Sequence, residues 1–216
     1  MAVEQAPSPV RVEVLGPLRL VVDGAPVGVP GPKRRAVLAL LALAEGRIVT
    51  VDHLVDALWP SEVPESGRAA LHSHVFRLRG HLGPAAARLE TRQDGYRLAL
   101  GGDDVDVAQA RALLAAARDG ARADPAGAFT LLREANALWR GPVLADLTDF
   151  LPIAAAVEEC AQLRREVTDA LIASAIATGQ ADGAAGTGGI VSLAAASLAA
   201  DPLREPAVLL LSLIHI

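Results

Sequence analysis

A chain of 216 residues, 52% of them hydrophobic, can bury one large core or two small ones. Aromatics are only 3% and alanine supplies much of the apolar share, which favours close-packed helices over a sheet sandwich. A single cysteine, Cys160, excludes an internal disulfide. With no basic-then-apolar leader and no bilayer-length apolar run, the chain reads as cytoplasmic, with no membrane partner.

The formal net charge of −5 hides an asymmetry. Residues 1–100 carry 12 Lys+Arg against 10 Asp+Glu, whereas residues 101–216 carry 8 against 15. The stretch 66–97 alone holds six arginines against Glu90 and Asp94, with His72, His74 and His81 besides. Such a split fits a DNA-facing module joined to an acidic one, and equally a merely solvated basic face.

Residues 1–9, polar and proline-containing, read as disordered. Residues 10–15 and 18–22 alternate apolar and polar, as half-buried strands do. Asp23-Gly24 signals a hairpin turn, and 26–30 reads as a short edge strand. Pro32 suits the first turn of a buried helix over 33–45, with Gly46 as its stop. Thr50 is a good cap for a helix over 51–58, which Pro60 ends. Ser66 is placed to cap a third helix, 67–82.

That third helix carries the chemistry. Leu71, Val75, Leu78 and Leu82 form one apolar stripe at helical spacing. The opposite face presents Ala69, Ser73, Phe76 and Gly80, with His72, Arg77, Arg79, Arg68 and His74 around its shoulders. Small residues allow close approach to a major groove, and arginine can fork onto a guanine edge or grip phosphate. The residue pattern assigns base contacts to His72, Ser73, Phe76 and Arg77, with Phe76 against a thymine methyl or sugar. It assigns phosphate contacts to Arg34, Arg68, Arg79 and Arg92. An ordinary basic surface helix remains the competing reading.

Residues 88–100 form two alternating strands about Asp94-Gly95, with Arg92 and Arg97 near the tip. Sheet, three helices and hairpin, in that order, make a winged helix-turn-helix over 10–100. Trp59, closing the second helix, reads as core beneath the linker, the alternative being an exposed partner-binding tryptophan. Gly101-Gly102-Asp103-Asp104 is the expected boundary to an all-α domain over 105–210. Its helices are expected at 105–119, 126–139 behind Asp124-Pro125, 153–178 and 190–200, followed by a last apolar run. Helix pairs between Gly and Pro breaks resemble a repeat array, though no period is clean.

The string 31–60 (GPKRRAVLALLALAEGRIVTVDHLVDALWP) strongly resembles the Streptomyces antibiotic regulatory protein family. So do 67–82, with its Arg77-Leu78-Arg79, and Gly95-Tyr96-Arg97-Leu98. The segment 136–147 (NALWRGPVLADL), the Gln162-Leu163-Arg164 string and 201–206 (DPLREP) are similar to that family's bacterial transcriptional activator domain. The resemblance implies an OmpR-type winged helix followed by a tetratricopeptide-like helical domain. It also implies binding to direct repeats of double-stranded DNA upstream of biosynthetic genes, a homodimer on that DNA, and RNA polymerase as partner. Phe76 departs from the small polar residue expected on the DNA side, and the glycine-rich 183–189 interrupts a helix. Residues 211–216 (LSLIHI) stop mid-helix and read as a non-native tail on a truncated frame.

No catalytic constellation, cofactor motif or metal set emerges. His72 and His74 are two apart on a helix and do not pair as ligands. The chain therefore reads as a regulator and not an enzyme. The alternative is a helical-repeat scaffold whose winged helix binds protein.

Overall fold

The computed structural model describes residues 8–179 except 149, together with single positions 195, 208 and 212. Residues 1–7, the helix expected over 190–200 and the tail 211–216 lie, single positions apart, outside the described residues. The described chain is a small sheet and a winged helix followed by helices, and it divides into two compact units. One comprises the residues up to Gln109 and again Trp139–Cys160, and the other Ala110–Leu138 and the residues from Ala161 on.

The first unit opens with an antiparallel sheet of β1 (Val10–Glu13), β2 (Arg19–Val22) and β3 (Ala25–Val27), in that order. Val22 pairs with Ala25, so Asp23-Gly24 is a two-residue turn. Both turn residues have positive φ, +51° and +77°, as the tightest hairpins require. Val10, Val12, Leu20 and Val22 point into the core.

Pro32 starts α1 (Pro32–Leu43), whose residues Ala36 to Ala42 are all buried. Thr50 caps α2 (Val51–Leu58), its hydroxyl accepting from the His53 amide at 3.2 Å. Helix α3 (Gly67–Leu82) buries Leu71, Val75, Leu78 and Leu82, the stripe the spacing predicts. Ser66 makes no capping hydrogen bond, contrary to expectation.

The second sheet has the order β4–β6–β5, built from β4 (Val49–Thr50), β5 (Leu89–Arg92) and β6 (Gly95–Leu98). Arg92 pairs with Gly95, so the wing turn is Gln93-Asp94 and not Asp94-Gly95. Gly95 is needed for another reason: it pairs with Thr50, and a Cβ there would lie 2.0 Å from the Val49 carbonyl oxygen.

The first unit does not end at the glycine-aspartate stretch. Asp106, at the start of α4 (Asp106–Gly120), is 1% exposed, and its two oxygens accept from the amides of Val14 (2.8 Å) and Leu15 (2.9 Å). Burial pushes its carboxyl up, while those two hydrogen bonds and the Arg140 charge pull it down. The segment from Trp139 is latched to the same strands. The Arg140 amide donates to Leu15 O (2.8 Å), the Leu144 amide to Gly16 O (2.8 Å), and Asp146 accepts from the Leu18 amide (3.0 Å). Asp146 also takes the Arg35 side chain from α1, Nε at 2.6 Å. Trp139 is buried here, in the first unit.

The second unit holds most of α4, α5 (Pro125–Ala137) and the later part of α6 (Leu151–Ala177). Asp124 caps α5, accepting from the Gly127 amide at 2.8 Å. Leu163, Val167 and Leu171 of α6 are buried, and Arg118 pairs with Glu166 at 3.0 Å. Among the described residues no helix is long and apolar enough to cross a membrane.

Asp106→Ala leaves two buried amides without acceptors, each costing about 1–3 kcal/mol. The expected loss is about 2–5 kcal/mol in urea unfolding, with Asp106→Asn, which keeps one acceptor, in between.

Candidate nucleic-acid interface

With its leucine and valine stripe buried, α3 turns Ala69, Ser73, Phe76 and Gly80 outward, all exposed. Phe76 is 75% exposed, the most exposed large hydrophobic side chain among the described residues. His72 and Arg77 are exposed beside it. The Arg77 side chain takes part in no hydrogen bond or ion pair among the described residues. These four residues, His72, Ser73, Phe76 and Arg77, thus form one continuous outward surface.

One shoulder of α3 faces the wing. His72 sits edge-on to Tyr96 of β6, with ring centroids 6.3 Å apart. Arg79 donates from Nε (3.0 Å) and Nη2 (2.8 Å) to the Leu89 carbonyl and from Nη2 to the Thr91 hydroxyl at 2.8 Å. Its guanidinium therefore ties α3 to β5 first, leaving Nη1 outside those bonds. Arg68, at the start of α3, is ion-paired with Asp52 of α2. On the wing, Glu90 lies between Arg92, with which it pairs, and Arg97, 3.5 Å away.

The other shoulder faces the start of α1. Nη1 of Arg34 lies 3.1 Å from Nε2 of His81. The Lys33 ammonium lies 4.1 Å above the Trp59 ring, and the His74 ring is 6.5 Å from that indole. Trp59 is half-buried, a correction to the core position expected from sequence: one face carries a cation instead of apolar packing. His74 is held below the ordinary imidazole value, by burial first and then by Arg34, Lys33 and Arg77.

The phosphate candidates thus differ in state. Arg68 and Arg92 are paired with carboxylates, Arg79 with a carbonyl, and Arg34 with a histidine. The sequence reading misses Lys33. Its only sequence signal is a place beside Pro32 in the first helical turn, which does not reveal that Trp59 lies under it. Among the described residues no group of three or more His, Cys, Asp or Glu side chains is arranged to hold a metal ion.

A helical stripe seated on two helices, an exposed outward face and a flanking β-hairpin define a winged helix-turn-helix domain. Residues 29–98 match the family described as transcriptional regulatory protein, C terminal, and residues 105–213 match the bacterial transcriptional activator domain. The chain belongs to the Streptomyces antibiotic regulatory protein family, in which these two domains are joined. The transcriptional regulatory protein EmbR of Mycobacterium tuberculosis is 41% identical over 145 residues, covering 63% of this chain and 37% of EmbR. MoaR1 of the same organism is 35% identical over 181 residues, covering 80% of this chain and 58% of MoaR1. A solved structure of M. tuberculosis EmbR in complex with a low affinity phosphopeptide matches with a TM-score of 0.84 at 33% identity, covering 93% of this chain and 52% of that one. The chain spans less than two thirds of the length of each of these relatives.

The His74 shift has a sign that can be measured. Its folded value lies below its unfolded one, so the unfolded chain binds the extra proton more readily between them. Stability is full above the ordinary imidazole value and falls as pH drops through that interval. A melting series from about pH 7.5 down to about pH 5 should show this loss in the wild type and less of it in His74→Asn.

Proposed function

We propose that this chain binds duplex DNA sequence-specifically, laying α3 in the major groove with the β5–β6 wing against the neighbouring backbone or minor groove. The reading rests above all on the outward face of α3. An exposed aromatic and an unbonded arginine sit there among small residues, with cations on both shoulders. In this arrangement Arg77 and the His72/Ser73 pair read base edges, and Phe76 meets a thymine methyl or sugar. Arg34, Arg68, Arg79 and Arg92 hold phosphates, which position the helix without specifying sequence.

The protein would act in the cytoplasm as an activator of biosynthetic genes. Family membership supports direct-repeat promoter sites, two copies side by side on adjacent repeats, and recruitment of RNA polymerase. The role is regulatory and not catalytic. Residues 10–100 would be the DNA-reading domain, with 105–210 the activator domain. The structural division, however, groups 106–109 and 139–160 with the winged helix, so the DNA-reading part is best prepared with those segments attached.

The test is binding by fluorescence anisotropy to a site selected from a random pool, against a scrambled duplex. Arg77→Ala should weaken the selected site by about 1–3 kcal/mol and the scrambled one far less. Equal losses on both would move Arg77 to backbone contact. On the wing, Arg92→Ala should weaken both duplexes alike and lower the salt slope by about one, whereas an unchanged slope would place the wing off the DNA.

A further inference from the structure

The α1 shoulder of the recognition helix gathers three cations with no carboxylate partner among the described residues. Elsewhere on the winged helix five arginines have a carboxylate, Arg68 from Asp52, Arg92 and Arg97 from Glu90, Arg88 from Asp104 at 3.2 Å, and Arg35 from Asp146, while Arg79 and Arg47 are bonded to carbonyl oxygens. Lys33 has an aromatic face, Arg34 the His81 ring, and the Arg77 side chain no bonded partner among the described residues. An aromatic face holds an ammonium by its charge but supplies no anion to its N–H donors. All three cations are close enough to His74 to depress it, and no carboxylate acts on it in the opposite direction. Folding has brought like charges together here, a cost that an external anion would relieve.

The helix geometry says which anion. At about 100° per residue, Arg77 lies between the outward residue Ser73 and the flank residues His74 and His81. The cation cluster therefore continues the edge of the proposed reading face, on the side away from His72, Arg79 and the wing.

We propose that Lys33 contacts a DNA phosphate, held in position by the Trp59 ring, and that with Arg34 it forms a second backbone grip across α3 from the wing, beside the base-reading Arg77. The inference rests on the DNA-binding reading above. Trp59 is a positioning residue: its indole fixes a flexible side chain over one spot, so less freedom is lost when phosphate binds.

The experiment uses the full chain, with anisotropy on the selected and scrambled duplexes from about 50 to about 200 mM salt. Lys33→Gln should lower the salt slope by about one on both duplexes, roughly a fourfold smaller change in affinity across that range. Trp59→Phe, which keeps a ring face, should retain the slope. Trp59→Leu should lose it as Lys33→Gln does, and the double variant should lose no more. Circular dichroism melting checks that each variant is folded, and Lys33→Gln, a surface change, keeps the test valid if Trp59→Leu is not. A wild-type slope left unchanged by Lys33→Gln would overturn this grip while leaving DNA binding intact. A loss confined to the selected duplex would also overturn it, by making Lys33 a base reader. No salt-dependent binding by the wild type to either duplex would remove the DNA reading itself, and this inference with it.

Discussion

One buried carboxylate ties the N-terminal sheet to the start of α4. Asp106 has nearly no solvent contact and accepts from two consecutive amides, Val14 and Leu15, where β1 has ended and the chain turns toward β2. A backbone donor buried without an acceptor is costly, so those two amides need a partner that no neighbouring strand provides. The partner comes from more than ninety residues away. Arg140 then stands over the same place, with Nε 3.2 Å from Glu13, Nη1 on the Pro17 carbonyl at 3.2 Å and Nη2 3.7 Å from Asp106. The N-terminal sheet is therefore finished by residues of the activator-domain match.

This explains why the sequence divides differently from the fold. Gly101-Gly102-Asp103-Asp104 is a change of pattern, from alternating strands to helical spacing, and a composition reading places a boundary there. The bonds from Asp106 and Asp146 that extend the first unit join side chains to backbone groups across separations of 91 to 128 residues, and those of the Arg140 and Leu144 amides are equally non-local. No periodicity or turn signal records them. The string from Asn136 to Leu147 is legible as a family likeness, but its physical task, latching Leu15, Gly16 and Leu18, is not.

Local chemistry is legible where it acts locally. Helix α2 begins at its Thr50 cap and α3 buries the apolar stripe its spacing marks, because each signal lies within a few residues of the structure it controls, although Ser66 makes no capping bond. Strand β4 is invisible: two residues, the second of them the cap of α2, are too few to show alternation. Gly95 reads as a turn residue because Asp-Gly is a common turn pair, yet the close pass of β4 is what makes glycine necessary. Trp59 reads as core on hydrophobicity alone, and the cation above it depends on how α1 meets the end of α2. The six arginines of 66–97 give the right sign of charge but overstate it, since pairing with Asp52, Glu90 and Asp104 depends on cross-element distances.

That pairing shapes how a polyanion would be bound. An arginine already matched to a carboxylate must exchange one anion for another, and the displaced carboxylate then stands near the phosphates. On the proposed reading this applies to Arg68 and Arg92, and it makes them responsive to any change that neutralises Asp52 or Glu90. The α1 shoulder has no such competitor, and Lys33 is already oriented by an aromatic ring. The two sides of α3 would then contribute differently: one a standing positive edge, the other the exchangeable pairs of Arg68 and Arg92, with Arg79 tied to a carbonyl, beside a short hairpin. Between them, Phe76 gains little from phosphate at all. A side chain three-quarters exposed to water gains from burial against an apolar surface, and in a major groove that surface is the thymine methyl. Sequence preference would thus rest on the centre of the helix, and sequence-independent affinity on its edges.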